Sequence, residues 1–93
     1  MVTIRLYSLL RLLLKRETID LPVALNETVG TLLQQIGGEA GATIAAKLFA
    51  AEGVLQTGTI ILVNRHNILH LQGLATPVYD GDVVALFPPG AGG

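Results

Sequence analysis

Two apolar patterns at opposite ends of the chain set the limits of what it can fold into. Val2, Ile4 and Leu6 alternate with Thr3, Arg5 and Tyr7, a period of two that predicts a half-buried strand with the first set facing a core. Val83–Phe87 is a second strand, the last one, closed by Pro88-Pro89 because neither proline can join a ladder. At 93 residues the chain has room for one core. A domain of this size buries only about two-thirds of its unfolded surface, so that core must be apolar and economical. With 51% hydrophobic residues but only two Phe, two Tyr and no Trp, it is an aliphatic core of Leu, Ile, Val and Ala.

Between these strands the pattern changes period. Ile19, Leu21 and Val23 continue the alternation, with Pro22 marking the strand as an edge or its end. The intervening Leu12-Leu13-Leu14-Lys15-Arg16 reads as a long turn or a short helix. Asn26 is placed as a helix N-cap, and Val29, Leu32, Leu33 and Ile36 follow at i, i+3, i+4 and i+7 on one helix face. Gly37-Gly38 stops that helix. A second, Ala-rich helical stretch covers residues 42–52, with Ile44, Leu48 and Ala51 on one face and Gly53 at its end. Thr59-Ile60-Ile61-Leu62-Val63 predicts a central strand, Ile68-Leu69-His70-Leu71 a brief one, and Asp80-Gly81-Asp82 a turn.

Strand, strand, helix, then further strands imply an α+β domain, a mixed sheet with one main helix packed across it. A helix between strand pairs lets the first and last strands lie side by side in the middle, which is the β-grasp, or ubiquitin-like, architecture. Residues 1–87 form that domain, and residues 88–93 form an extended tail ending in Gly92-Gly93.

Composition removes several functions. A formal net charge of −1 with scattered Lys and Arg argues against a nucleic-acid groove. Without cysteine there is no disulfide, thiolate metal site or cysteine nucleophile. His66 and His70 straddle a turn, where their spacing does not converge on a metal. Ser8, the only serine, has no base nearby in sequence, and Gly37-Gly38 with Gly41 lacks the Lys-Ser or Lys-Thr of a phosphate loop. No acid, base and nucleophile set marks an enzyme. The opening residues show no signal peptide and no membrane span, so the expected location is cytoplasmic. Charged residues are only 14%, which leaves apolar surface for a partner.

The tail is where chemistry fits. Six residues from Pro88 to Gly93 reach at most about 20 Å. Pro88-Pro89 stiffens the base, and glycines at the tip let a narrow channel in another protein close around the backbone. Asp80-Gly81-Asp82-Val83-Val84-Ala85-Leu86-Phe87-Pro88-Pro89-Gly90-Ala91-Gly92-Gly93 resembles the C-terminal signature of the MoaD/ThiS family of sulfur carriers, and within it is most similar to the small subunit of molybdopterin synthase. The resemblance extends to Val63-Asn64, to Gly73-Leu74, Thr76 and Val78, and to the opening strand with its Tyr7 and Arg11. Two positions depart from the pattern: Asn64-Arg65 stands where Asn-Gly is common, and Gly90 where Val is frequent.

The resemblance implies a non-catalytic carrier. Gly93 would be adenylated by an E1-like adenylyltransferase of the MoeB/ThiF type using ATP and magnesium, with no cofactor bound by the carrier itself. A sulfur donor would then convert it to a thiocarboxylate for delivery to the large subunit of molybdopterin synthase. Thiazole, cysteine or thiolated tRNA synthesis are alternative acceptors, and a binding module that never uses its tail is the alternative of another class. Tyr7 and Phe87 fall on the outward phase of neighbouring strands, so they are expected together on the helix-free face as a docking pair leading into Pro88, Pro89 and Gly92. Arg11, Lys15 and Arg16 are placed to flank that patch.

Overall fold

The computed structural model describes residues 1–90. Strand β1 (Val2–Leu6) is followed by helix α1 (Ser8–Leu14), strand β2 (Thr18–Leu21), helices α2 (Val29–Gln34) and α3 (Gly38–Leu48), and a small hairpin of β3 (Phe49–Ala51) and β4 (Val54–Leu55). Strands β5 (Ile60–Val63) and β6 (His66–Asn67), two short 3-10 turns and strand β7 (Val83–Phe87) complete the fold. The main sheet runs β2-β1-β7-β5-β6. Its two central strands, β1 and β7, are parallel, and every other pairing is antiparallel. This is the mixed β-grasp sheet the element order implies.

The alternation in each strand decides its faces. Val2, Ile4 and Leu6 of β1, Ile61 and Val63 of β5, and Val84 and Leu86 of β7 are buried beneath the helices. Each such side chain contributes about 1.5–3 kcal/mol relative to exposure. Helix α2 adds Val29, Leu32 and Leu33, the link after it adds Ile36, and α3 adds Ile44 and Leu48. Strand β2 lies at the edge and stops at Leu21, just before Pro22.

Several elements differ from the sequence reading. The segment after β1 is a helix, pinned by buried Leu10 and half-buried Leu14 one turn later. Asn26 does not cap α2. It sits in a turn at φ 64°, and Thr28 is the cap. The Thr28 and Thr31 hydroxyls accept each other's backbone N–H at 3.2 and 2.9 Å, a reciprocal box that satisfies two otherwise free donors. The buried Glu27 carboxylate accepts from the Ala24 N–H at 3.1 Å and from Thr31 and Gln35 side chains.

The longer helix is α3, not α2. It begins at Gly38 and gives way to strand at Phe49, so Ala51 is an exposed strand residue and Gly53 turns the β3–β4 hairpin. Helices α2 and α3 can follow so closely because position 41 has no side chain: a Cβ there would stand 1.9 Å from the Ile36 carbonyl oxygen. Residues Ile68–His70 form a 3-10 turn rather than a strand, because the Asn67 side chain accepts from the Leu69 N–H at 2.9 Å and curls the chain.

The β5–β6 hairpin turns on two residues. Val63 pairs with His66, and Asn64 and Arg65 take φ 49° and 73°. Positive φ at both positions is the type I′ geometry that favours Asn-Gly. Asn64 fits well: its side chain donates to Asp82 at 2.9 Å and accepts from the Val83 N–H at 3.0 Å, tying the turn to the start of β7. At the same end of β7 the N-terminal ammonium binds the Asp80 carboxylate and holds its pKa below the ordinary value. Arg65 bears a Cβ in a left-handed conformation that costs about 1–2 kcal/mol. Arg65→Gly is therefore expected to stabilise the domain by about 1 kcal/mol in urea unfolding; an unchanged or lowered midpoint would show that the Arg65 side chain offsets the strain.

Candidate functional site: the helix-free sheet face and the base of the tail

The helix-free face is assembled by register. Parallel pairing of Leu6 with Leu86 brings the next residues, Tyr7 and Phe87, side by side. Their rings stack with centroids 4.3 Å apart and an interplanar angle of 10°. The Arg5 guanidinium lies 5.9 Å from the Tyr7 ring centroid, within cation–π range. Arg5 and Leu62 both pair with Ala85, and Ile60 pairs with Phe87. Tyr7, Ile60, Leu62, Ala85 and Phe87 thus form one apolar surface with a cation at its side.

Each site residue singled out from the sequence has a definite place. Tyr7 and Phe87 are half-buried by each other and leave one flank to solvent. Arg11 projects from α1 and forms an exposed ion pair with Glu17 at 3.7 Å, a contact too weakly held to keep it from a partner. Lys15 ends α1 in the left-handed conformation, and Arg16 bonds the Thr18 carbonyl at 2.9 Å. Pro88 is buried and Pro89 half-buried, so the chain does not leave the body at Pro88 as the sequence suggests; Gly90 is the first exposed residue. Gly92 and Gly93, the positions to which the sequence assigns the chemistry, lie outside the described residues, as does Ala91.

One surface was not singled out from the sequence. Helix α1 exposes Leu9 by 42%, Leu12 by 72% and Leu13 by 46%, beside the end of β1 and hence near Tyr7. The signal was present: five leucines in seven helical residues exceed what one buried face can take.

No group of three or more His, Cys, Asp or Glu side chains converges among the described residues. His66 and His70 are exposed on β6 and the following 3-10 turn. A groove of about 840 Å³ runs between α2, α3 and the β3–β4 hairpin, lined by Ile36, Ala45, Phe49 and Leu74 among others. It takes in no residue of β7 or of the tail base, and its walls bring no acid and base together.

Fold and face define a β-grasp protein of the ubiquitin-like class. Residues 4–93 match the ThiS family, and the chain belongs to that family of ubiquitin-like sulfur carriers. Among curated proteins it is similar to small archaeal modifier protein 3 of Haloferax volcanii, 32% identical over 90 residues, covering 97% of this chain and 96% of the relative. Among solved structures it is similar to SAMP1 from Haloferax volcanii, with TM-score 0.81, 27% identity and coverage of 99% and 98% of the two chains. A chain of the Amycolatopsis orientalis BexX/CysO complex shares the fold, with TM-score 0.72, 24% identity and full coverage of both chains.

Stacked pairs contribute about 0.5–1.5 kcal/mol beyond the area they bury. A double-mutant cycle on Tyr7→Ala and Phe87→Ala is expected to give a coupling of about 1 kcal/mol in unfolding free energy. Strict additivity would show that the rings do not support one another in solution.

Proposed function

We propose that the chain carries sulfur as a C-terminal thiocarboxylate on Gly93. The observation that carries this is the family match running through residue 93, joined to a central strand that leads directly into the Phe87-Pro88-Pro89 base. A carboxylate is a poor electrophile, so it must first be activated. One oxygen of Gly93 attacks the α-phosphorus of ATP bound with magnesium to an E1-like enzyme, and pyrophosphate leaves. A hydrosulfide equivalent from a sulfur donor then adds to the acyl carbon and AMP departs, leaving the thiocarboxylate. At the acceptor the sulfur attacks an electrophilic carbon and displaces an oxygen leaving group from it, and hydrolysis of the resulting thioester leaves the sulfur on the acceptor and returns the Gly93 carboxylate.

The chain's own part is to dock and deliver. The apolar surface of Tyr7, Ile60, Leu62 and Phe87 excludes water against a partner, and Arg5 and Arg11 meet acidic groups around it. An aromatic pair at the centre of such a patch is where binding energy concentrates. Consumption of ATP belongs in the cytoplasm, and no helix among the described residues is long and apolar enough to cross a membrane.

For the acceptor, Phe87-Pro88-Pro89 favours molybdopterin (or its tungsten counterpart), with the sulfur used on the large subunit of molybdopterin synthase to build the dithiolene. The 32% identity to a small archaeal modifier protein favours a second outlet, attachment of the activated Gly93 to a lysine amine of another protein. Both outlets use the same adenylate and part only at the nucleophile.

The test is intact-mass spectrometry after incubation with ATP, magnesium, a ThiF-type activating enzyme and sulfide. Replacement of one oxygen by sulfur at Gly93 is the expected result, lost when Gly93 is removed. An unmodified mass, with the enzyme active on its own carrier, would contradict the proposal. Conversion of a pterin precursor by the charged protein plus the large subunit would then select the first outlet, and lysine conjugates the second.

A further inference from the structure

The antiparallel ladder that joins β5 to β7 pairs Ile60 with Phe87. Continued by one and two residues, that register sets Thr59 opposite Pro88 and Gly58 opposite Pro89. Proline has no N–H, so the hydrogen bonds stop there. The packing does not stop. Pro88 is buried and Pro89 half-buried. A Cβ built on Gly58 would stand 3.3 Å from the Pro89 Cβ and 3.7 Å from its Cα. Gly58 itself has φ +92°, a conformation that side chains rarely adopt.

The turn beneath Pro89 is held firmly. The Thr59 N–H closes it onto the Gln56 carbonyl at 3.1 Å. The Gln56 N–H and the buried Thr59 hydroxyl both donate to the Leu48 carbonyl, at 2.8 and 3.1 Å. The Gln56 side chain donates to the carbonyls of Ala46 and Phe49 at 3.0 and 3.2 Å. Ala46 and Leu48 belong to the end of α3 and Phe49 follows it directly, where carbonyls lack helical partners and require outside donors. Residues 56–59 therefore cap a helix on one side and carry the tail base on the other.

We infer that Gly58 is a positioning residue for the C-terminal glycine, and that the 56–59 turn is a seat for Pro89 that fixes where the final residues depart. The inference rests on the carrier reading, since it assigns a purpose to the departure point. It also shortens the tether. Counted from the seat, four residues remain rather than six, a reach of at most about 14 Å instead of about 20 Å. A shorter, anchored tether raises the effective concentration of the terminal carboxylate at an active site that the docked body faces. The activating enzyme must then hold its nucleotide within that distance of the Pro89 seat.

The test uses Gly58→Ala and Pro89→Gly in the full chain. Gly58→Ala lowers thermal stability through its φ alone, so stability is not the readout. Without any partner, the {1H}-15N NOE of the Gly90 amide is expected to fall in both variants while β1 and β7 amides keep their values. In adenylation, Gly58→Ala is expected to lower kcat about tenfold with KM for the carrier unchanged, because the docking face is untouched. The double variant should be no worse than Pro89→Gly alone. A Gly90 NOE and kcat that match the wild type would overturn the inference, as would two independent, multiplying effects. Should Gly58→Ala not fold, Pro89→Gly decides by the same NOE, because it leaves the turn intact. A wild-type chain that is never adenylated sinks the carrier reading instead, while the NOE comparison still decides whether the seat exists.

Discussion

The parallel pairing of β1 with β7 is the contact on which everything else rests. It joins the two ends of the chain, buries Val2, Ile4, Leu6, Val84 and Leu86 to 2% exposure or less, and sets the register of the strands on either side. Parallel neighbours cannot be linked by a hairpin. The whole of α1 to β6 is therefore the crossover, and its helices cover the face on which those five side chains lie. The closing contact is also the most distant in sequence, so it gains nothing from local structure and has to be secured by burial.

The same pairing makes the site. One residue past the last β1–β7 partner, Tyr7 and Phe87 meet on the uncovered face, and two residues later the chain is seated at Pro89. The stacked face and the Pro89 contact are thereby both set by β7. On the carrier reading proposed above, the body's part is geometric, to offer a partner a surface beside the base of the tail.

Strand periodicity was easily legible. Alternation at Val2, Ile4 and Leu6, the run of Val83–Phe87 and the outward phase of Tyr7 and Phe87 follow from the pleat alone, and the structure keeps each of them. Local competition was harder to read. Asn26 has the chemistry of a cap, yet Thr28, two residues on and paired with Thr31, satisfies more donors and wins. The end of α3 and the hairpin after it depend on Gln56 and Thr59 reaching back to Leu48, contacts across eight and eleven residues that no periodicity encodes. The seat under Pro89 was hidden for the same reason. A proline pair reads as a stiff spacer in sequence, and only the neighbouring turn shows what it leans on.

Residues 1–90 hold the fold by themselves, through the pairing of β1 with β7. Amide hydrogen exchange on the full chain and on one ending at Gly90 tests it most directly. The amides of β1 and β7 are expected to exchange slowest of all and at the same rates in both chains. Faster exchange across β1 and β7 in the shortened chain would contradict it, because the final residues would then be part of what holds the two strands together.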